Sequence, residues 1–368
     1  MVLKAEVVNE EKPVRTRDSD VFSYGSHRLS VNCHSAWGTE FLIRGELMQP
    51  DVRVTVGMCV RDAEATVREA VESVIDQDYP HELIELIVVD GYSRDKTLSI
   101  IREYLDKIDM KNRIFYENVG LGQARQIVVK NASGEYIVWV DGDMVLSKDF
   151  IRKQVEFMDQ NPKVGIAKGK YELSPGPNML ATLEIYARAA AKLADYSLEK
   201  TRSKSMGTSG CIYRVEAIRQ SGGFDENIKG YGEDWDAEYR TRLAGWFLCT
   251  TRVRYRDYER LGITWRELWF RYWKRGYELH DVLQKHRGVV KLYRMLLPAA
   301  FLSGLFNSLA LYKSIREKVV FLMPLLCTFE MTAWWLGFIR RRLDLHAKQN
   351  YPKIRNFEPL PVKFAQRN

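Results

Sequence analysis

From Val52 onward the chain alternates apolar runs with amphipathic segments of about ten residues. Val54-Thr55-Val56-Gly57-Met58-Cys59-Val60 and Leu86-Ile87-Val88-Val89-Asp90 lack the polar alternation of a half-solvated strand, so both are expected to be buried on two faces. Arg113-Ile114-Phe115-Tyr116 and Tyr136-Ile137-Val138-Trp139-Val140 predict two more strands. Helices are expected over residues 63–75, 96–105 and 122–129, between those strands. Such alternation predicts parallel βαβ units in an open α/β sheet. Ligands of open sheets gather beyond the carboxyl ends of the strands, where Asp90 and Asp141 fall.

The two ends of the chain read differently. Residues 1–50 are polar, and Arg28-Leu29-Ser30-Val31-Asn32 supports at most a strand or two in an N-terminal extension. Residues 51–258 form the expected α/β domain. Within 259–290, Trp265, Leu268, Trp269 and Tyr272 share one side of a predicted helix rich in Arg and Lys, a composition suited to lipid headgroups. Residues 291–340 contain two apolar stretches, 292–312 and 319–339, each long enough to span a bilayer core of about 30 Å. A buried helical hairpin is the alternative; Trp334-Trp335 and the following Arg340-Arg341-Arg342 favour the membrane. Basic residues outnumber those of the short loop on both flanks, placing the catalytic domain and the tail 341–368 in the cytoplasm of a multi-pass cell-membrane protein. Glu330 falls inside the second span, as a functional residue or an interhelical hydrogen-bonding one. The spans could also hold a homodimer together.

Charge and cysteines change this picture little. A formal net charge of +8 suits anionic lipid or a phosphorylated ligand. Nucleic acid is the poorer reading of the basic aromatic helix, given the adjoining spans. Five scattered cysteines without zinc or redox spacing point to a reducing compartment, and the charged first residues read as no secretory signal.

The candidate chemistry is carboxylate-based. Asp141-Gly142-Asp143 follows an apolar strand, and two acids one residue apart on extended backbone point the same way, able to share a hard cation such as Mg²⁺ or Mn²⁺. A polar turn is the plainer reading of those three residues. A second acidic region holds Asp225, Glu233, Asp234 and Asp236. Asp236 and Arg240 have the spacing of a helix-surface pair, and Glu233 and Asp234 that of helix-start caps.

The order of these pieces resembles glycosyltransferase family 2, the inverting nucleotide-sugar enzymes of GT-A fold. The resemblance runs from Val54-Thr55-Val56-Gly57 through Asp90-Gly91-Tyr92-Ser93, Asn118 to Arg125 and Asp141-Gly142-Asp143 to Gly222-Gly223-Phe224-Asp225 and Glu233-Asp234-Trp235-Asp236. It implies an open mixed sheet with helices on both faces, followed here by the interfacial helix and a transmembrane hairpin. It implies nucleoside contacts from Val60, Asp62 and Asp90, with Asp62 where relatives commonly have Asn and Tyr92 an aromatic near the pocket. Gly120, Gly122 and Arg125 would approach the pyrophosphate. Asp141 would contact the donor and share a divalent metal with Asp143. Asp234 would be the general base, Glu233 would orient the acceptor, and Gly210, Trp235 and Trp273 would line the acceptor site.

The expected activity is transfer of one sugar, with mannose from GDP-mannose as the first guess, to a polyprenyl-linked glycan. Rival expectations are a polyprenyl-phosphate sugar synthase, a processive polysaccharide synthase, a nucleotidyltransferase and a non-catalytic scaffold. Arg271-Tyr272-Trp273-Lys274-Arg275 is only reminiscent of the Gln-x-x-Arg-Trp motif of processive synthases.

Overall fold

The computed structural model describes residues 51–196, 206–257, 263–286 and 296–350, with two short strands near the start. The chain divides into two units, Met1–Gln49 and Pro50–Asn368. In the first, β1 (Asn32–His34) pairs antiparallel with β2 (Glu40–Leu42). Residues 28–31, the rest of the strand predicted there, lie outside the described residues.

The second unit opens with β3 (Val54–Val60), α1 (Val67–Ile75), β4 (Ile84–Asp90), α2 (Thr97–Leu105), β5 (Lys111–Tyr116) and α3 (Leu121–Asn131). Every residue of β4 is buried, which is why its side chains do not alternate in polarity. The exception is Glu85, which accepts hydrogen bonds from Thr55 Oγ1 and Ser133 N and pairs with Arg113 at 3.0 Å. Burial pushes its carboxyl up, but these three partners together win and hold it below the ordinary range.

The chain continues through β6 (Tyr136–Trp139), β7 (Met144–Leu146), α4 (Phe150–Gln160), β8 (Val164–Tyr171), α5 (Met179–Tyr196), β9 (Cys211–Arg214), α6 (Val215–Gln220), α7 (Glu233–Leu243) and β10 (Phe247–Asp257). The eight strands of this sheet run in the order β5-β4-β3-β6-β9-β8-β10-β7. The β3, β4, β5 and β6 pairings are parallel, β9 is antiparallel to both β6 and β8, and β7 is antiparallel to β10. The sheet is therefore open and mixed. Its order reverses beside β3, where a crevice opens beyond the carboxyl ends of β3 and β6.

Three helices complete the unit: α8 (Trp265–Lys285), α9 (Leu297–Ile315) and α10 (Met323–Asn350). Thr264 and Glu267 cap α8 reciprocally, a signal present in its Thr-x-x-Glu start. Glycines bring the helices together. A Cβ on Gly276 of α8 would lie 1.9 Å from the Trp334 carbonyl oxygen, and one on Gly337 of α10 would lie 1.9 Å from that of Trp273.

The expectation of two membrane spans is corrected to one candidate. Among the described residues only Lys318–His346 is long and apolar enough to cross a bilayer. Ser303, Asn307, Ser308 and Lys313 dilute the apolar character of α9. The first part of the predicted span, through residue 295, lies outside the described residues.

Candidate active site

The site forms where the sheet order reverses. Trp139 closes β6, and Asp141-Gly142-Asp143 then turns back toward β7, with Met144 N donating to Asp141 O at 3.0 Å. Both carboxylates line one cavity of about 1040 Å³. A turn brings them together, the plainer of the two sequence readings, and both acids still face the cavity. Thr66 Oγ1 pins the turn by donating to Gly142 O at 2.8 Å.

Opposite the turn, α7 begins. Gly232 precedes it with φ of 107°, in the left-handed region that glycine tolerates. The acids of α7 then separate by role. Asp236 is fully buried and binds Arg240 at 2.6 Å, Lys285 at 2.7 Å and His286 at 2.6 Å. The helix-surface pair with Arg240 is thus present, and α8 is tied to α7 through Lys285. Glu238 accepts from Met206 N and Gly207 N, each at 2.8 Å, and so fixes the loop beside the cavity. Glu233 is buried against Arg125 of α3. Asp234 lines the cavity, its Oδ1 accepting from Trp235 N at 2.7 Å. A side chain at Gly207 would start 3.4 Å from Asp234 Oδ2, so the bare glycine keeps that oxygen open.

Arg125 joins the two acidic elements. Its Nη1 meets Glu233, its Nη2 lies 3.7 Å from Asp141 Oδ1, and its guanidinium sits 5.9 Å over the rings of Trp139 and Phe224. Burial works against its charge, but Glu233 and Asp141 outweigh burial and hold the arginine ionised. Burial also raises the Glu233 carboxyl above its ordinary range, against the pull of Arg125 and with help from the Asp234 charge. Burial pushes the Cys59 thiol, on the cavity wall, up to about 12, so it is a neutral wall group at neutral pH.

Of the residues singled out by sequence, Val60, Asp62, Arg125, Asp141, Asp143, Glu233 and Asp234 line this cavity together. The others are placed elsewhere. Asp90 is buried and accepts from Ser93 Oγ at 2.6 Å and Ser93 N at 3.1 Å, closing the turn after β4. Asp62, which lines the cavity, is also tied to this turn, its amide donating to Ser93 Oγ and its Oδ1 accepting from Arg94 N. Tyr92 projects from that turn against Tyr116. At the Gly120 and Gly122 turn, expected to approach a pyrophosphate, the amides of Leu121 and Gly122 donate to Lys229 O and Ile228 O. Backbone of residues 225–229 fills the space beside Gly120 and Gly122, so these glycines permit a close helix–loop approach. Gly210 packs against the Tyr255 ring. Trp235 lies outside the cavity lining, and so does Trp273, which stacks on Tyr277. From α8 it is Tyr272 and Arg275 that reach the cavity.

Lys168 was missed. It is buried in the middle of β8, lines the cavity, and donates to Met206 O at 2.6 Å. A lysine inside the apolar run Val164-Gly165-Ile166-Ala167-Lys168 is the signal that could have found it.

Asp141 and Asp143 suit a divalent metal chemically, as hard oxygen donors on one turn. Among the described residues no cluster of three or more His, Cys, Asp or Glu could hold a metal.

Residues 55–222 match the family model described as Glycosyl transferase family 2. That match covers the central part of this chain, and its open mixed sheet is GT-A-like. It is similar to the poly(ribitol-phosphate) beta-N-acetylglucosaminyltransferase TarS of Staphylococcus aureus, 31% identical over 101 residues, covering 27% of this chain and 18% of that protein. It is also similar to the poly-beta-1,6-N-acetyl-D-glucosamine synthase of Staphylococcus epidermidis, 24% identical over 224 residues, 58% of this chain and 53% of the relative. The chain thus spans between about a fifth and about half of these relatives' lengths. Among solved structures, the mannosyltransferase PcManGT of Pyrobaculum calidifontis, in complex with GDP-Man and Mn²⁺, shares the fold at a TM-score of 0.53 and 18% identity, over 79% of this chain and 87% of that one.

Proposed function

We propose that the chain transfers a single sugar, with inversion, from a nucleoside-diphosphate donor to a lipid-linked glycan at a membrane surface. One observation carries the reading: Asp141, Asp143, Arg125 and Asp234 share one cavity whose far wall is built by α8, α9 and α10. A donor diphosphate would lie against the Asp141–Asp143 turn. Asp234 would take the proton from the attacking acceptor hydroxyl as its oxygen bonds to the anomeric carbon and the bond to the diphosphate breaks. Arg125 holds Glu233 and Asp141 in place, so the two sides of the cavity keep their spacing.

Asp141 and Asp143 would hold a divalent cation, which when bound offsets charge on the leaving diphosphate. GDP-mannose is the donor we test first, because the archaeal fold neighbour holds it with Mn²⁺. The membrane reading rests on α10 and on exposed apolar side chains of α8, α9 and α10, Phe270, Phe306 and Leu325 among them.

The test is the product. Purified protein given GDP-mannose and Mn²⁺ should yield an acceptor extended by one residue, with the opposite anomeric configuration by NMR. Retained configuration contradicts the mechanism. Long chains built on one acceptor would make the enzyme a processive synthase.

A further inference from the structure

The cavity that holds Asp234 is a chamber lined also by residues of α5, α8, α9 and α10, Glu330 of α10 among them. Glu330 is 8% exposed, and its Oε1 has no hydrogen-bond partner among the described residues. The Glu184 carboxylate, the Tyr272 hydroxyl and the Arg275 and Arg188 guanidiniums are among its charged or polar neighbours. Arg275 is itself spread over two rings, 5.1 Å above Tyr231 and 4.9 Å above Tyr272. An interhelical hydrogen bond alone would explain one carboxylate oxygen and leave the other buried without return. Asn307, on α9, adds an amide to the same lining.

We infer that this chamber is the acceptor subsite, where Glu330 accepts hydrogen bonds from hydroxyls of an acceptor sugar; the assignment rests on the glycosyltransferase reading above. The chemistry selects the ligand. A buried carboxylate oxygen without a partner fits a hydroxyl donor, which a sugar ring supplies. Tyr231 and Tyr272 supply flat apolar walls, and Asn307 can both donate and accept. The sugar would then sit on the helices of the membrane-facing side, with Asp234 on its way to the donor.

The test uses the full chain in detergent with GDP-mannose or UDP-GlcNAc plus Mn²⁺ as donors. Octyl mannoside and octyl glucoside serve as acceptor probes, and farnesyl phosphate as a sugar-free probe. Glu330→Ala should raise the KM for the glycoside about tenfold or more, with the donor KM and the donor-induced rise in Tm kept. Glu330→Gln, which retains a carbonyl acceptor, should fall between Glu330→Ala and wild type. Asn307→Leu should shift the glycoside KM in the same direction, which covers a folding failure of the first variant. An unchanged glycoside KM in Glu330→Ala overturns the subsite, as does a parallel loss of donor binding or transfer only to farnesyl phosphate. Wild-type protein that neither binds nor cleaves any donor contradicts the transferase reading itself, and this inference falls with it.

Discussion

Asp225 shows how single charges in this fold can be read by pH. Partial burial pushes its carboxyl up, but Lys285 at 2.6 Å and Asn227 N at 2.9 Å outweigh that and hold it down to about 2. A carboxyl lowered by folding stabilises the fold while ionised. Its contribution is therefore full above its ordinary value of 3.8 and is lost as pH falls from 3.8 toward 2. Asp225→Asn should lower Tm near pH 6, and the gap to wild type should close between about pH 4 and pH 2. A gap independent of pH would remove the ion pair from the account. Arg125 gives a larger effect. Arg125→Met leaves Glu233 buried without its cation, a change that costs about 3–5 kcal/mol in comparable buried pairs. Chemical denaturation should show a loss of that order, partly relieved in the double variant Arg125→Met with Glu233→Gln. At this scale Asp141 and Asp143 carried a spacing signal, whereas Asp234 read by spacing as a helix cap and was named only through the family resemblance. Asp90 was legible as a strand-end acid, but Ser93 occupies its carboxylate, a local turn bond that no spacing rule reveals.

The elements of the sheet were readable because burial on both faces removes polar alternation, as in β3 and β4. Strand β8 was harder. Gly165, Lys168, Gly169 and Lys170 break its apolar run, although Lys168 is buried by tertiary contact with the loop at residues 206–207. Helix α8 was found with its aromatic face, yet Trp273 was assigned to the site while its neighbours Tyr272 and Arg275 line it. Helical periodicity gives a face and not the partner it meets; here α10 takes Trp273 through the bare backbone of Gly337. That close crossing makes a prediction. Gly276→Ala and Gly337→Ala should each destabilise the protein in detergent by about 1–3 kcal/mol or more through overpacking, read as a lower Tm. Wild-type Tm in both would mean that the helices do not cross at these glycines.

For the molecule as a whole, the α/β domain followed by apolar helices was legible, and the number of spans was not. Hydropathy counted two stretches, but α9 mixes small polar residues with leucines, and among the described residues only Lys318–His346 qualifies. An apolar face remains on these helices, with Phe306 at 68% and Leu325 at 63% exposure. Replacing both by Ser should weaken binding to anionic vesicles at least tenfold in a flotation assay, since each buried large apolar side chain is worth about 1.5–3 kcal/mol. Equal flotation would place the lipid contact elsewhere.

The central claim is that Asp234 activates an acceptor hydroxyl against a sugar donor bound at the Asp141–Asp143 turn. The most direct measurement compares nucleoside diphosphate release, with acceptor present, by wild type and Asp234→Asn, alongside the donor-induced rise in Tm. The account predicts that the variant keeps the Tm rise and loses about 10²–10⁴-fold in rate, the range of a general base. Wild-type release by Asp234→Asn would contradict it.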